Sequence, residues 1–168
     1  MTETLSPTLP QDVEQLVTVV LAAACDRELK LVTAESCTGG LLASLLTDVD
    51  GSAHAFERGF VTYTEEAKTE LLGVPTDMLA RHTAVSAPVA EAMAKGALDG
   101  SRGHIALSIT GYAGRGGEGQ EPGLVFFGIA RAGRPVRVEE RHFGDVGRGE
   151  VRLACLRQAL EMLRDAIL

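Results

Sequence analysis

A serine inside a glycine-bearing loop, Thr33-Ala34-Glu35-Ser36-Cys37-Thr38-Gly39-Gly40, is the first group along the chain equipped for chemistry. It lies between a β-rich run, Leu31 to Ala34, and a compact helical stretch, Leu41 to Leu46. Such strand-to-helix loops are where α/β sheets place ligands. Backbone N–H groups at the start of that helix would point at an anion or at the oxyanion of a tetrahedral intermediate, and Gly39 and Gly40 allow close approach. Ser36 is therefore a candidate nucleophile and Thr38 a candidate binding or capping hydroxyl. The alternative is that either hydroxyl merely caps the helix. Cys37 reads as packing, since no histidine is near it in sequence.

A serine needs a base, and a lysine can be that base only when neutral. The segment Tyr63-Thr64-Glu65-Glu66-Ala67-Lys68 stands where a strand gives way to a helix, and Lys68 is the one of three lysines that follows a strand end. Neutralising a free lysine at pH 7 costs about 4.6 kcal/mol, so Lys68 would need desolvation or a cationic neighbour. Tyr63 could relay the proton or orient the amine. The competing reading is a solvated helix face on which Glu65 and Lys68 pair at i, i+3.

Two further segments could hold a ligand. From Gly111 to Gly123, six of 13 residues are glycine, more than a plain hairpin connection needs. Their spacing is not that of a dinucleotide-binding turn, and the absence of any Gly-Lys pair removes a P-loop. The segment could instead form an anion nest or be a mobile surface loop. Arg148 and Arg152 lie one turn apart at a helix start, where they could hold a phosphate or pair with surface acids such as Glu150. His54, His82, His104 and His142 share no ligand spacing and read as structural or exposed.

The elements that must position these groups follow from periodicity. Residues 1–10 read as a tail, with a helix start near Thr8-Leu9-Pro10-Gln11. The domain is 11–168. Val13, Leu16, Val17, Val20, Leu21 and Ala24 recur at helical spacing and predict a helix to about Glu28. Phe56 to Tyr63 reads as a strand, Thr64 to Leu72 as a helix ending at Gly73-Val74-Pro75, and Ser86 as the cap of a helix to about Leu98. Ile105 to Thr110 is a buried-looking strand, and Gly123 to Ala130 with Val136 to Phe143 form a hairpin around Gly133-Arg134-Pro135. Val151, Cys155, Ala159, Leu163 and Ile167 stripe a terminal helix. Strands separated by helices, with one late hairpin, predict an α/β fold, a layered sandwich with a mixed sheet.

Composition narrows the partners. The 168 residues carry 16 Lys and Arg against 23 Asp and Glu, a net charge of −7, with two Tyr, five Phe and no Trp. Neither a basic face for phosphate backbones nor an aromatic platform for bases is present, so nucleic acid is a poor partner. The length suits one soluble domain that buries about 70% of its unfolded surface without disulfides or metal. Cys25, Cys37 and Cys155 are odd in number and widely spaced, which suits a reducing cytoplasm. No basic residue precedes Arg27 and no apolar run approaches the roughly 18 residues of a membrane span. The expectation is a cytoplasmic protein, off the membrane, with homo-oligomerisation left open.

Taken together, Thr33 to Gly40, Tyr63 to Lys68, Leu71-Leu72-Gly73-Val74-Pro75, Ala84-Val85-Ser86, Thr110-Gly111 with Ala113-Gly114, and Gly123-Leu124-Val125 resemble the CinA C-terminal-domain family in order and distance over residues 13 to 167. Several separated motifs in register are more specific than any one of them. The family includes nicotinamide-nucleotide amidases, which convert nicotinamide mononucleotide to nicotinate mononucleotide and ammonia, and it has a three-layer α/β fold. The resemblance implies an amidohydrolase in which Ser36 attacks the amide carbon, Lys68 is the base and Tyr63 assists. Backbone N–H groups near Thr38 and Gly39 would serve the oxyanion, and Gly40 would belong to the same binding loop. Gly111, Gly114, Arg115 and Arg148 would surround the ribose phosphate of the pyridine nucleotide. No metal or cofactor is implied.

This chain departs from the family in three places: Arg115 stands where Pro is common, Tyr112 where a small aliphatic is, and Glu65 where Asn is frequent. Arg115 would add a phosphate contact or narrow the pocket. The amino-terminal domain of longer relatives is not expected, nor any activity residing there. A catalytically silent nucleotide-binding or partner-regulating module of the same fold is the alternative function.

Overall fold

In the computed structural model, which describes residues 9–168, five strands form one sheet in the order β2-β1-β3-β4-β5. The strands are β1 (Leu31–Glu35), β2 (Phe56–Val61), β3 (Ile105–Gly111), β4 (Leu124–Arg131) and β5 (Arg137–His142). β1 runs parallel to both β2 and β3, whereas β4 is antiparallel to β3 and to β5, so the sheet is mixed. The helices are α1 (Gln11–Asp26), α2 (Leu41–Leu45), α3 (Glu65–Leu72), α4 (Thr76–His82), α5 (Ala87–Asp99) and α6 (Arg148–Ile167).

Side chains of a strand alternate between its two faces, and here the alternation divides the core. Leu31, Ile105, Leu107, Ile109, Val125, Phe127 and Ile129 face α1, α2 and α6. Val32, Ala34 and Ala106 face α3, α4 and α5. The result is the three-layer α/β/α sandwich. All five residues of β1 are buried, as a central strand covered on both faces must be, while no residue of β5 at the edge is fully buried. The second face is lined by small residues, and α5 presses close enough for Ser108 Oγ to donate to the Ala90 carbonyl at 2.6 Å.

Several boundaries differ from those the periodicity predicts. β2 stops at Val61 because β1, its only partner, ends at Glu35; the Thr62 amide makes the last ladder bond, to the Glu35 carbonyl at 2.8 Å, and Thr64 is already the cap of α3. α1 ends at Asp26 rather than Glu28, since Glu28 adopts a positive φ of 54°. α4 leaves no periodic signal in the sequence, because its seven residues bury little beyond Leu79. Ser86 occupies the position before α5, but its hydroxyl donates back to the Thr83 carbonyl instead of capping the helix. The helix start expected at Thr8 falls partly outside the described residues.

Candidate active site

The carboxyl ends of β1, β2 and β3 meet at one edge of the sheet, and the chemistry-bearing side chains converge there. Ser36 directly follows β1, and its N–H donates to the Ile109 carbonyl of β3 at 3.0 Å. The chain then turns through Gly39 (φ 61°) and Gly40 (φ 92°) into α2. Two successive residues in the left-handed region are tolerable only because both are glycine.

The amides at the start of α2 are not an open anion site, as the loop's composition suggested. Those of Gly40, Leu42 and Ala43 donate to the Glu35 carboxylate at 3.2, 3.1 and 2.8 Å. The Gly39 amide is taken by the Ser36 carbonyl at 3.0 Å. Thr38 is fully buried; its hydroxyl donates to Glu35 at 2.6 Å and its carbonyl accepts from Arg152 Nη2 at 2.8 Å. Among the described residues, the amides of Cys37 and Thr38 alone in this turn have no partner. Glu35 is not singled out by the sequence reading, although a carboxylate closing the buried strand before a loop of unpartnered amides is the available signal.

Lys68 sits one turn into α3, a helix started by Thr64, whose Oγ1 accepts from the Ala67 amide at 3.1 Å. It shares the inward face with Leu72 at i+4, and its side chain is 1% exposed. The expected alternative, a solvated pair with Glu65, does not form. Lys68 Nζ instead donates to the Thr62 carbonyl at 2.7 Å and to Ser36 Oγ at 3.1 Å. Burial holds the ammonium below the usual lysine range, partly opposed by the nearby Cys37 and Glu65. Tyr63 stands at the rim, 72% exposed, and its hydroxyl bonds to neither Ser36 nor Lys68.

These groups floor a cleft of about 280 Å³. Gly111, Gly114, Arg115 and Arg148 line it with Ser36, Lys68 and Tyr63, whereas Thr38, Gly39 and Gly40 lie behind its wall. At Gly111 a Cβ would stand 2.7 Å from the Leu124 carbonyl oxygen, so glycine there lets β3 and β4 close at the cleft floor. At Gly114 a Cβ would come within 3.1 Å of the Arg148 guanidinium, so that glycine makes room for the arginine. Arg148 has no ion-pair or hydrogen-bond partner among the described residues, while Arg115 Nε reaches Asp145 at 2.9 Å in an exposed pair. Arg148 and Arg152, one turn apart, thus divide: the first faces the cleft and the second grips the Ser36 loop. A larger groove of about 610 Å³ between α3, α4 and α5 has no nucleophile and base side by side. The cleft has both, which is the arrangement for acyl transfer through a serine ester.

Cys37 and Cys155 lie against one another in the core, and that contact together with burial pushes the Cys155 thiol up. Among the described residues no group of three or more His, Cys, Asp or Glu side chains could hold a metal ion, and no helix is long and apolar enough to cross a membrane.

A family model described as the CinA C-terminal domain matches residues 13–167. A CinA-like protein of Myxococcus xanthus is 46% identical over 160 residues, covering 94% of this chain and 38% of that longer protein. The nicotinamide-nucleotide amidohydrolase PncC of Escherichia coli strain K12 is 47% identical over 136 residues, covering 79% of this chain and 81% of its own length. Among solved structures, the competence/damage inducible protein CihA from Agrobacterium tumefaciens superposes with a TM-score of 0.91 at 44% identity, covering 95% of this chain and 98% of the other.

Proposed function

The chain belongs to the CinA C-terminal domain family, and from that premise we propose that it is a nicotinamide-nucleotide amidohydrolase. The substrate class is supported by the similarity to Escherichia coli PncC, and the mechanism by one geometric observation, the buried Lys68 amine 3.1 Å from the Ser36 hydroxyl. A pyridine mononucleotide presents a carboxamide at one end and a phosphate at the other. The cleft is lined by a nucleophile, a base and two arginines.

With Lys68 neutral, one N–H remains on the Thr62 carbonyl and the lone pair accepts the Ser36 hydroxyl proton. Ser36 Oγ attacks the carboxamide carbon, and the amide of Cys37, free of other partners and at the cleft wall, stabilises the oxyanion. The Lys68 ammonium then protonates the departing nitrogen, ammonia leaves, and a Ser36 ester remains. Water, deprotonated by Lys68, cleaves that ester to release the nicotinate product. Tyr63, exposed at the rim, is better placed to border the substrate than to relay the proton. Arg148, with Arg115, holds the phosphate. The three free thiols suit a reducing cytoplasm. Ammonia release from nicotinamide mononucleotide by the purified chain tests the reading; a folded protein that binds the nucleotide and releases none would refute it.

A further inference from the structure

Glu35 and Lys68 are the buried charged side chains among the described residues, and the mechanism uses only Lys68. We infer that Glu35 is the positioning residue of the nucleophile: with Arg152 on the opposite side of Thr38, its carboxylate staples the Ser36–Gly40 turn into the shape that presents Ser36 to Lys68. The inference rests on the reading of Ser36 as nucleophile.

All four partners of Glu35, the Thr38 hydroxyl and the amides of Gly40, Leu42 and Ala43, are donors. An ionised carboxylate, which only accepts, meets them without an orphan. A five-residue helix such as α2 has little stability of its own, and its cap position is Gly40, which has no side chain to offer. The capping oxygen comes instead from five residues upstream, across the turn that carries Ser36. Glu35 thus fixes both ends of that turn, its own backbone being held in the sheet through Thr62. Arg152 Nη2 holds the Thr38 carbonyl from α6 and the Gly39 amide donates to the Ser36 carbonyl, so that peptide cannot flip without losing a bond on each side. By consuming the amides of α2, the staple leaves that of Cys37 as the free donor beside the nucleophile at the cleft wall. The same helix sends Arg148 into the cleft from one turn earlier, which ties loop and cleft to a common support.

The test measures the rate at which a fluorophosphonate probe phosphonylates Ser36, read by intact mass and peptide mapping, in the wild type, Glu35→Gln, Thr38→Val and Thr38→Ser. Thr38→Val keeps the shape of the buried side chain while removing the donor to Glu35, and decides the matter if Glu35→Gln does not melt cooperatively. Labelling should slow by about 100-fold in Glu35→Gln and Thr38→Val, the scale of a small misplacement of reacting groups. Thr38→Ser, which restores the hydroxyl, should recover most of that rate. Calorimetric affinity for nicotinamide mononucleotide should be retained throughout, so that kcat falls and KM does not, a split that general loosening of the fold would not give. Labelling of Thr38→Val at the wild-type rate overturns the inference. Wild-type protein that labels at Ser36 yet releases no ammonia refutes the substrate reading while the staple is still judged on labelling rates; absence of wild-type labelling overturns both.

Discussion

Lys68 Nζ lies 3.1 Å from Ser36 Oγ although 32 residues separate them, because β1 and β2 run parallel and release their next segments at the same edge of the sheet. The lysine reaches that point inside the protein rather than from solvent, and its burial lowers the pKa. Position and lowered pKa therefore have a common cause.

The pH dependence follows from that sign. Because the folded-state pKa lies below 10.5, kcat/KM should rise with pH through a single ionisation below that of free lysine. Below that folded pKa the buried charge opposes folding, and the penalty is relieved as pH climbs from there towards 10.5. Lys68→Arg, always protonated, should lose activity by a factor of about 1,000. Lys68→Met should lose both the activity and the alkaline gain in melting temperature. A rate unaffected by either change would remove lysine from the base role.

The arginines should sort substrates by their phosphate. If Arg148 holds the phosphate as proposed, Arg148→Ala would remove charge-assisted hydrogen bonds worth about 2 kcal/mol, so KM for nicotinamide mononucleotide should rise about 30-fold. KM for nicotinamide riboside should stay unchanged. Asp145→Asn frees Arg115 from its exposed ion pair and should lower KM for the nucleotide alone. Steady-state kinetics on the two substrates checks all three statements, and equal effects on both would move the phosphate elsewhere.

Gly96 tests how closely α3 and α5 pack behind Lys68. A Cβ there would collide with the Leu72 backbone carbonyl, which no rotamer change relieves. Alanine is favoured over glycine in a helix by about 1 kcal/mol, yet overpacking of this kind costs about 3 kcal/mol, so Gly96→Ala should destabilise. Denaturant unfolding reads the sign directly.

His142 bridges Glu121 at 2.7 Å and Glu140 at 2.9 Å, and these carboxylates raise its pKa above 6.5. A raised folded-state value gives stability that is complete below pH 6.5 and lost as pH climbs through the folded pKa. Glu121 lies in the glycine-rich loop, so the bridge ties that loop to β5. Melting temperature measured against pH should fall over this window in the wild type, and the fall should disappear in His142→Gln.

Those features whose cause is local were legible in the sequence. Val13 to Ala24 and Val151 to Ile167 stripe their helices, and the buried runs of β1, β3 and β4 read as strands. Ser36 and Lys68 stood out by residue type and by their places after strands. Whether Lys68 faced solvent was not legible, because it depends on the packing of α3 beneath the sheet edge, although its i, i+4 relation to Leu72 carried the hint. The role of Glu35 was hidden for a similar reason: a carboxylate at a strand end becomes a cap only once the turn folds back over it. The separation of Arg148 from Arg152 depends on where α6 crosses the loop, which spacing alone does not define.

The most direct test of the account is ammonia release from nicotinamide mononucleotide by the wild type and by Ser36→Ala, each with and without a chelator. Ser36→Ala removes one hydroxyl, so it should melt as the wild type does. Release by the wild type should survive the chelator and vanish in the variant. Undiminished release by a folded Ser36→Ala protein would contradict it.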